Sequence, residues 1–387
     1  MKPLRIGIIG CGSRISGVAG ECARMDRRFR IVAVADPQGE ALRAKHLELL
    51  GNAVFHPGED SLLARRDLDG IMIGTRCYLH APMAVKVAKR GLPLFLEKPV
   101  AISLSQLKAL AAAFRRRNAP PVVVSFPLRV SPLVARAKRI VESGKLGPIE
   151  QIVAFNDVPY GDVYFGGWYR NWDEVGGLWL QKATHDLDYI AYLAGSRPKR
   201  VAAMNARRVW GGDRPFGLRC MDCRKRKACP ESPFNPKSMI PKGSRAGWRE
   251  WRMCVYAKGI RNEDLGACLV EYANGAQAVY HQNFFARGTA ARRGARVYGY
   301  RGTLEFDWYA GHLLIRWHDG RGTEAVKLPG GEAHFGGDAV LCRNFLEVLH
   351  GLGPSRTPIT AGIESALTCL RARESSATGR FRPVTMP

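Results

Sequence analysis

Four side chains able to carry or hold a proton fall within seven residues of the segment "GGLWLQKATHDLDYIAYLAG" (176–195): Lys182, His185, Asp186 and Asp188. An imidazole, or a lysine whose pKa burial has lowered, can take a proton near neutral pH, and a neighbouring carboxylate can orient it. The segment is otherwise apolar with helical spacing, so the same residues also suit the wet face of an ordinary helix. A further lysine, Lys98, closes the apolar run "LPLFLEKP". Whether these groups do chemistry together depends on the elements that carry them.

Lys98 belongs to a rhythm that fills the first third of the chain. Short apolar runs, "RIGIIG", "FRIVAVAD", "LDGIMIGT", "LPLFLEKP" and "PVVVSF", alternate with amphipathic stretches. Strands separated by helices in this way predict a parallel, doubly wound α/β sheet covered on both faces. Ligands of such sheets bind at the carboxyl ends of the strands, where Lys98 falls. The first turn reads "GIIGCGSRISG". Gly10 turns the chain and Gly12 lets the backbone approach a pyrophosphate. Ser13, Arg14 and Ile15 open the helix whose free N–H groups would face the phosphates. Ile15 stands where the third glycine of the fingerprint is expected. Asp36 ends the second strand, placed to bond the ribose hydroxyls of NAD. A carboxylate there disfavours the 2′-phosphate of NADP, although adjacent Arg14 leaves NADP possible.

Residues 75–103, "TRCYLHAPMAVKVAKRGLPLFLEKPVAIS", add a more specific signal. Together with "GIIGCG", "VAVADP", "RVSP" at Arg129, "VESGKLGPI", the His185 segment and "GYRGTLEF", they resemble the Gfo/Idh/MocA family of NAD(P)-dependent oxidoreductases. The later segments "YFGGWYRNW", "GGLWLQKATHDLD", "CMDCRKRKAC" and "AHFGGD" are similar to one poorly characterised branch. The resemblance implies an N-terminal Rossmann domain (1–126) and a C-terminal α+β domain (127–387) with a large, mostly antiparallel sheet. A Cys-rich insertion would occupy about 207–260. It also implies that Thr75, His80, Glu97 and Lys98 lie at the cofactor, and that Lys98 contacts nicotinamide and substrate and takes part in proton transfer. A homodimer or tetramer is implied in the same way. From the residues themselves, "LGACLVEYANGAQAVYHQNFF" reads as a hairpin about Asn274-Gly275, followed by further alternating strands.

Hydride transfer to nicotinamide needs a base for the hydroxyl proton as the carbonyl forms. Lys98 and His185 are the candidates, with Lys182 as a third. The family often carries a carboxylate four residues before the histidine, and here that position is Gln181. Asp188, three residues after His185, is the alternative orienter. Tyr164, Trp168, Arg170 and Trp172 in "YFGGWYRNW" suit stacking on a sugar ring and bonding its hydroxyls, and His334 is assigned to the same site. Asp338 suits a helix N-cap.

Cys220, Cys223, Cys229 and Cys254 suit a closed tetrahedral zinc site with a structural role. The other six cysteines, Cys11, Cys22, Cys77, Cys268, Cys342 and Cys369, read as small buried apolar residues. The 59 Lys and Arg against 34 Asp and Glu give a charge of +25. That excess would attract acidic partners, but the blocks "RRR" (115–117) and "RKRK" (224–227) lack interleaved aromatics, so no specific nucleic acid is expected. No apolar run suggests a membrane span and the first residues carry no leader pattern, so a cytoplasmic protein is expected. The leading reading is an oxidoreductase of a sugar, cyclitol or related polyol. The alternative is glycoside cleavage by transient oxidation, and a distant third is a basic NAD-sensing or nucleic-acid-binding protein.

Overall fold

The computed structural model describes residues 2–240, 248–327 and 333–386. Strands β1 (Leu4–Ile9), β2 (Phe29–Ala35), β3 (Val54–His56), β4 (Gly70–Ile73), β5 (Leu94–Leu96) and β6 (Val122–Val124) form a six-stranded sheet ordered β3-β2-β1-β4-β5-β6. Every pair in it is parallel. Ile6, Ile8, Ile71, Met72, Phe95 and Val123 are buried, as double coverage of a parallel sheet requires.

The second sheet has nine strands: β7 (Ile149–Asp157), β8 (Pro198–Ala206), β9 (Leu265–Tyr272), β10 (Gln277–Asn283), β11 (Arg292–Gly299), β12 (Gly302–Asp307), β13 (His312–Trp317), β14 (Thr323–Lys327) and β15 (Arg382–Pro383). Their order is β14-β13-β12-β11-β7-β10-β9-β8-β15, and only β10 with β7 runs parallel. The expected hairpin is present: β9 and β10 pair antiparallel about Gly275, whose φ of +92° suits the turn. One face of the sheet is covered by the helices Thr184–Ala194 and Ile359–Thr378.

The chain then returns to the first sheet. Helix Gly337–Leu349 lays Leu341, Cys342, Phe345 and Leu346 against the core formed by Ile6, Ile8, Val18 and Cys22. The Phe345 ring meets Phe95 edge-on with centroids 5.6 Å apart.

Between β8 and β9 the chain makes a long excursion with little regular structure. Asp264 closes its neck by accepting the N–H groups of Arg208, Val209 and Trp210. Arg252, fully buried within it, donates to Asp162 at 2.9 Å and meets Glu231, which also pairs with Arg287. The excursion is thereby pinned over the segment that follows β7.

The missing third glycine of the fingerprint has a structural answer. In the usual pattern that glycine lets the first helix approach the sheet. Here Ile15 is fully buried, and the room comes from the opposite wall at Gly74, where an added Cβ would overlap the Ile15 side chain. Gly74→Ala is therefore expected to cost about 1–3 kcal/mol by overpacking. Adding Ile15→Ala should recover part of that loss, and a urea-unfolding double-mutant cycle would measure the coupling. Additive losses would show that the two residues do not compete for this space.

Candidate active site

The cofactor turn forms as its residues require. Gly10 has φ +76°, and a Cβ there would sit 2.7 Å from the Thr75 backbone nitrogen. Gly12 is open, with Gly74 O at 3.9 Å as the nearest atom to an added Cβ. Helix Ser13–Met25 starts with no side chain capping its free N–H groups, leaving them for phosphates. Asp36, at the end of β2, accepts the Cys11 and Gln38 N–H groups, each at 2.8 Å, and keeps lone pairs for a ribose. These residues fit a dinucleotide.

Two of the expected cofactor contacts have other roles. Arg14 is held by Asp338 at 2.6 and 2.7 Å, with Glu97 at 3.2 Å and Ser125 at 3.1 Å completing the grip. It is occupied between the first helix and helix Gly337–Leu349, so it is not free to meet a 2′-phosphate. Asp338 is correspondingly an ion-pair partner of Arg14 and of His334 (2.8 Å), not an N-cap. Burial pushes its carboxyl up, but these two partners outweigh it and bring the carboxyl down to about 2. His80 is enclosed, with its ring nitrogens 2.8 Å from Pro99 O and 3.1 Å from Thr75 O. It clamps two loops beside the cofactor turn.

Segment 176–195 is no wet helix face, since every residue from Val175 to Ala191 is buried. Trp179–Ala183 forms a π turn that leads into helix Thr184–Ala194. Such widened turns often occur at functional sites, and this one changes the phase of Gln181 and Lys182 relative to His185. Asp186 is sealed beneath, bound by Arg293 at 2.9 and 2.8 Å, Asn156 at 2.9 Å and Tyr280 at 3.1 Å. Asp188 pairs with Arg129 and does not orient His185.

Lys98, Lys182 and His185 do converge. Lys98 Nζ donates to the Gln181 carbonyl at 2.9 Å and lies 3.4 Å from Gln181 Oε1. The Cys77 thiol reaches the same amide oxygen at 3.7 Å. Lys182, 4% exposed, donates to the Tyr160 hydroxyl at 2.6 Å. His185 is 6% exposed, its Nδ1 has no partner among the described residues, and its ring centroid lies 6.5 Å from that of His334. Burial lowers the Lys98 ammonium to about 8, against the opposing pull of Glu97. Burial, then the positive charges of Lys98, Arg293, Lys182 and His334, hold the His185 imidazole neutral.

The aromatic segment divides. Tyr164 packs against Tyr160, Tyr169 and Phe284. Trp168 stacks on Tyr169, 3.9 Å between centroids, and under Arg76. Trp172 lies between Arg261 and Arg373. Arg170 turns toward the excursion: it covers the Phe216 ring, lies near the thiols of Cys254 and Cys220, and its guanidinium has no hydrogen-bond partner among the described residues. Neither Arg170 nor Trp172 joins Lys98 and His185. Tyr160, which does, was not singled out in the sequence, since one tyrosine in a turn carries no spacing signal.

The four clustered cysteines line one small cavity with Glu231 and Tyr256. Among the described residues, however, no group of three or more His, Cys, Asp or Glu is arranged to hold a metal ion. Burial pushes the Cys220 thiol up to about 11 and raises Cys229 and Cys254. Zinc gains no support from this geometry. The other six cysteines are buried, as expected.

Residues 4–126 match the model of the oxidoreductase family with an NAD-binding Rossmann fold, and residues 134–305 match the Gfo/Idh/MocA C-terminal domain. The chain belongs to the Gfo/Idh/MocA family. Curated relatives include the rhizopine catabolism protein MocA of Rhizobium meliloti, 23% identical over 55% of this chain and 64% of the relative. Inositol 2-dehydrogenase of Corynebacterium glutamicum is 25% identical over 51% of this chain and 56% of its own length. The chain thus spans less than two thirds of these relatives. A solved levoglucosan dehydrogenase, in complex with NADH and levoglucosan, superimposes with a TM-score of 0.79 at 20% identity, covering 99% of this chain and 100% of that one. It shares the fold: a Rossmann sheet followed by a large, mostly antiparallel one.

Lys98 is protonated below pH about 8 and loses its positive charge above it. If it stabilises developing negative charge on a substrate oxygen, activity should fall as pH rises through that value. Lys98→Arg should move this falling limb upward. Lys98→Met should abolish the limb and lower kcat about 100-fold or more, as loss of a donor to a developing oxyanion does. An unchanged limb in Lys98→Arg would assign the titration elsewhere.

Proposed function

We propose that this chain is an NAD-dependent oxidoreductase that moves a hydride between nicotinamide and a hydroxyl-bearing carbon of a sugar, cyclitol or related polyol. The observation that carries this reading is the convergence of Lys98, Lys182 and His185 at the carboxyl end of the first sheet, beside the Gly10–Gly12 turn. NAD, when bound, supplies the hydride acceptor or donor. Lys98 bonds the reacting oxygen, and neutral His185 orients the hydroxyl. Inositol and levoglucosan, which the relatives' names carry, are compact polyhydroxylated rings of this class.

NAD is favoured over NADP because Asp36 faces the ribose position and Arg14 is engaged elsewhere. No specific observation favours glycoside cleavage. A nucleic-acid reading has little support, since it leaves Lys98 and His185 without a role and the basic blocks at 115–117 and 224–227 carry no interleaved aromatics. Among the described residues no helix is long and apolar enough to cross a membrane. A homo-oligomer through the open sheet face is supported by Met204 and Leu269, exposed on the outer side of β8 and β9.

The test is NADH formation from NAD⁺ over a panel of cyclitols, pyranoses and anhydrosugars. Turnover of at least one such compound is expected, with NADP⁺ a poorer cofactor. Asp36→Ala should narrow that preference mainly through the KM for NAD⁺. Absence of turnover across the panel in both redox directions would sink the proposal.

A further inference from the structure

The proposed oxidation leaves one question open: which group receives the hydroxyl proton. Gln181 occupies the position where a carboxylate would support His185, and an amide accepts no proton at neutral pH. His185 is ringed by cations, namely Lys98, Lys182, Arg293 and His334, and its Nδ1 has no partner among the described residues to stabilise an imidazolium. Lys98 is already protonated below pH about 8 and serves as a donor.

Tyr160 remains. It lies in the turn that follows β7; the residue is 42% exposed, while its hydroxyl accepts from buried Lys182 at 2.6 Å. The ammonium of Lys182 also lies 4.8 Å from the Tyr160 ring centroid. Among the described residues Lys182 has no ion-pair partner within 4 Å, because the nearby Asp186 carboxylate is taken by Arg293, Asn156 and Tyr280. The Tyr160 side chain is thus both open to a ligand and in direct contact with an uncompensated buried cation.

We propose that Tyr160 is the proton acceptor for the substrate hydroxyl, with Lys182 a positioning residue that acts through it. This rests on the function proposed above. In the oxidation the C–H pair leaves as hydride to NAD⁺, the C=O bond forms, and the O–H proton passes to the Tyr160 phenolate. The resulting phenol gives up its proton to solvent once the product has left the cleft. The groups facing Tyr160 are Lys182, Lys98, Arg293, Tyr164 and Tyr309. Burial pushes its phenol upward, but Lys182, Arg293 and Lys98 outweigh that and hold it below the ordinary tyrosine range. Phenolate is therefore lost as pH falls, and the oxidation rate should fall with it.

Two measurements test this. The first needs no substrate: ultraviolet titration of phenolate in wild type, Tyr160→Phe and Lys182→Met. One tyrosine ionising early should vanish in Tyr160→Phe and move up by about one pH unit or more in Lys182→Met, as removal of a neighbouring charge does. The second is the pH profile of kcat with a polyol that turns over. Tyr160→Phe should lower kcat about 100-fold or more without changing NADH affinity. Lys182→Met should move the rising limb upward, while Lys182→Arg should keep it near its wild-type position. The proposal fails if Tyr160→Phe stays within about threefold of wild type, or if the limb ignores Lys182→Met. An early-ionising tyrosine without turnover of any polyol would overturn the oxidoreductase reading and the acceptor role with it. Turnover without that tyrosine would overturn the acceptor role alone.

Discussion

A carboxylate and a guanidinium sealed from water decide where the chemistry sits. Asp186 and Arg293 are almost wholly buried, and their two parallel hydrogen bonds are completed by Asn156 and Tyr280. Burying charge is tolerated only when each partner is satisfied, and losing one of them leaves the other stranded at a cost of about 3–5 kcal/mol. That constraint fixes helix Thr184–Ala194 against β7, β10 and β11 in one rotation. His185 is the residue before Asp186, so its direction follows. Asp188 and Arg129 repeat the device two residues on, on another side of the same helix.

Because the carboxylates in this region are spent on arginines, the cleft itself is left cationic. Lys98 and Lys182 have only a carbonyl, an amide and a phenol to lean on. The same accounting separates the two ends of Arg14. It ties Glu97, beside Lys98, to Asp338 at the start of the last covering helix, and so couples the cofactor side of the cleft to His334. Structural ion pairs and reactive groups are thus interleaved, one residue apart in places.

Much of this was legible in sequence, for definite reasons. A strand rhythm, G-x-G and a terminal Asp36 work through backbone geometry and local order, which sequence records directly. Lys98 was found at a strand end and through the family resemblance, and His185 through that resemblance, since a lone histidine on an apolar helix would otherwise read as a core residue. What was missed depends on tertiary approach. Gly74 supplies the space that Ile15 takes, yet the two lie far apart in sequence. The π turn shifted Lys182 in a way that no 3.6-residue period foretells. Arg170 and Trp172 have side chains that suit a sugar, but the excursion after β8 packs against the one and Arg261 and Arg373 enclose the other. The four cysteines have the spacing of a zinc site without, among the described residues, its geometry.

Helix Gly337–Leu349 has a consequence for how the protein is made. The six-stranded sheet is complete once Val124 has emerged from the ribosome, whereas the helix that covers part of its core is synthesised long after it. Until that helix follows, part of the apolar surface around Ile6, Ile8 and Phe95 lacks its cover, and Arg14 lacks Asp338. The nascent chain therefore carries an exposed, sticky half-domain, a species for which chaperones exist. Arg14, at the start of the helix that follows the cofactor turn, is thus held by a carboxylate 324 residues further along the chain, so that end of the cleft is tied together by the most distant of contacts rather than by local order.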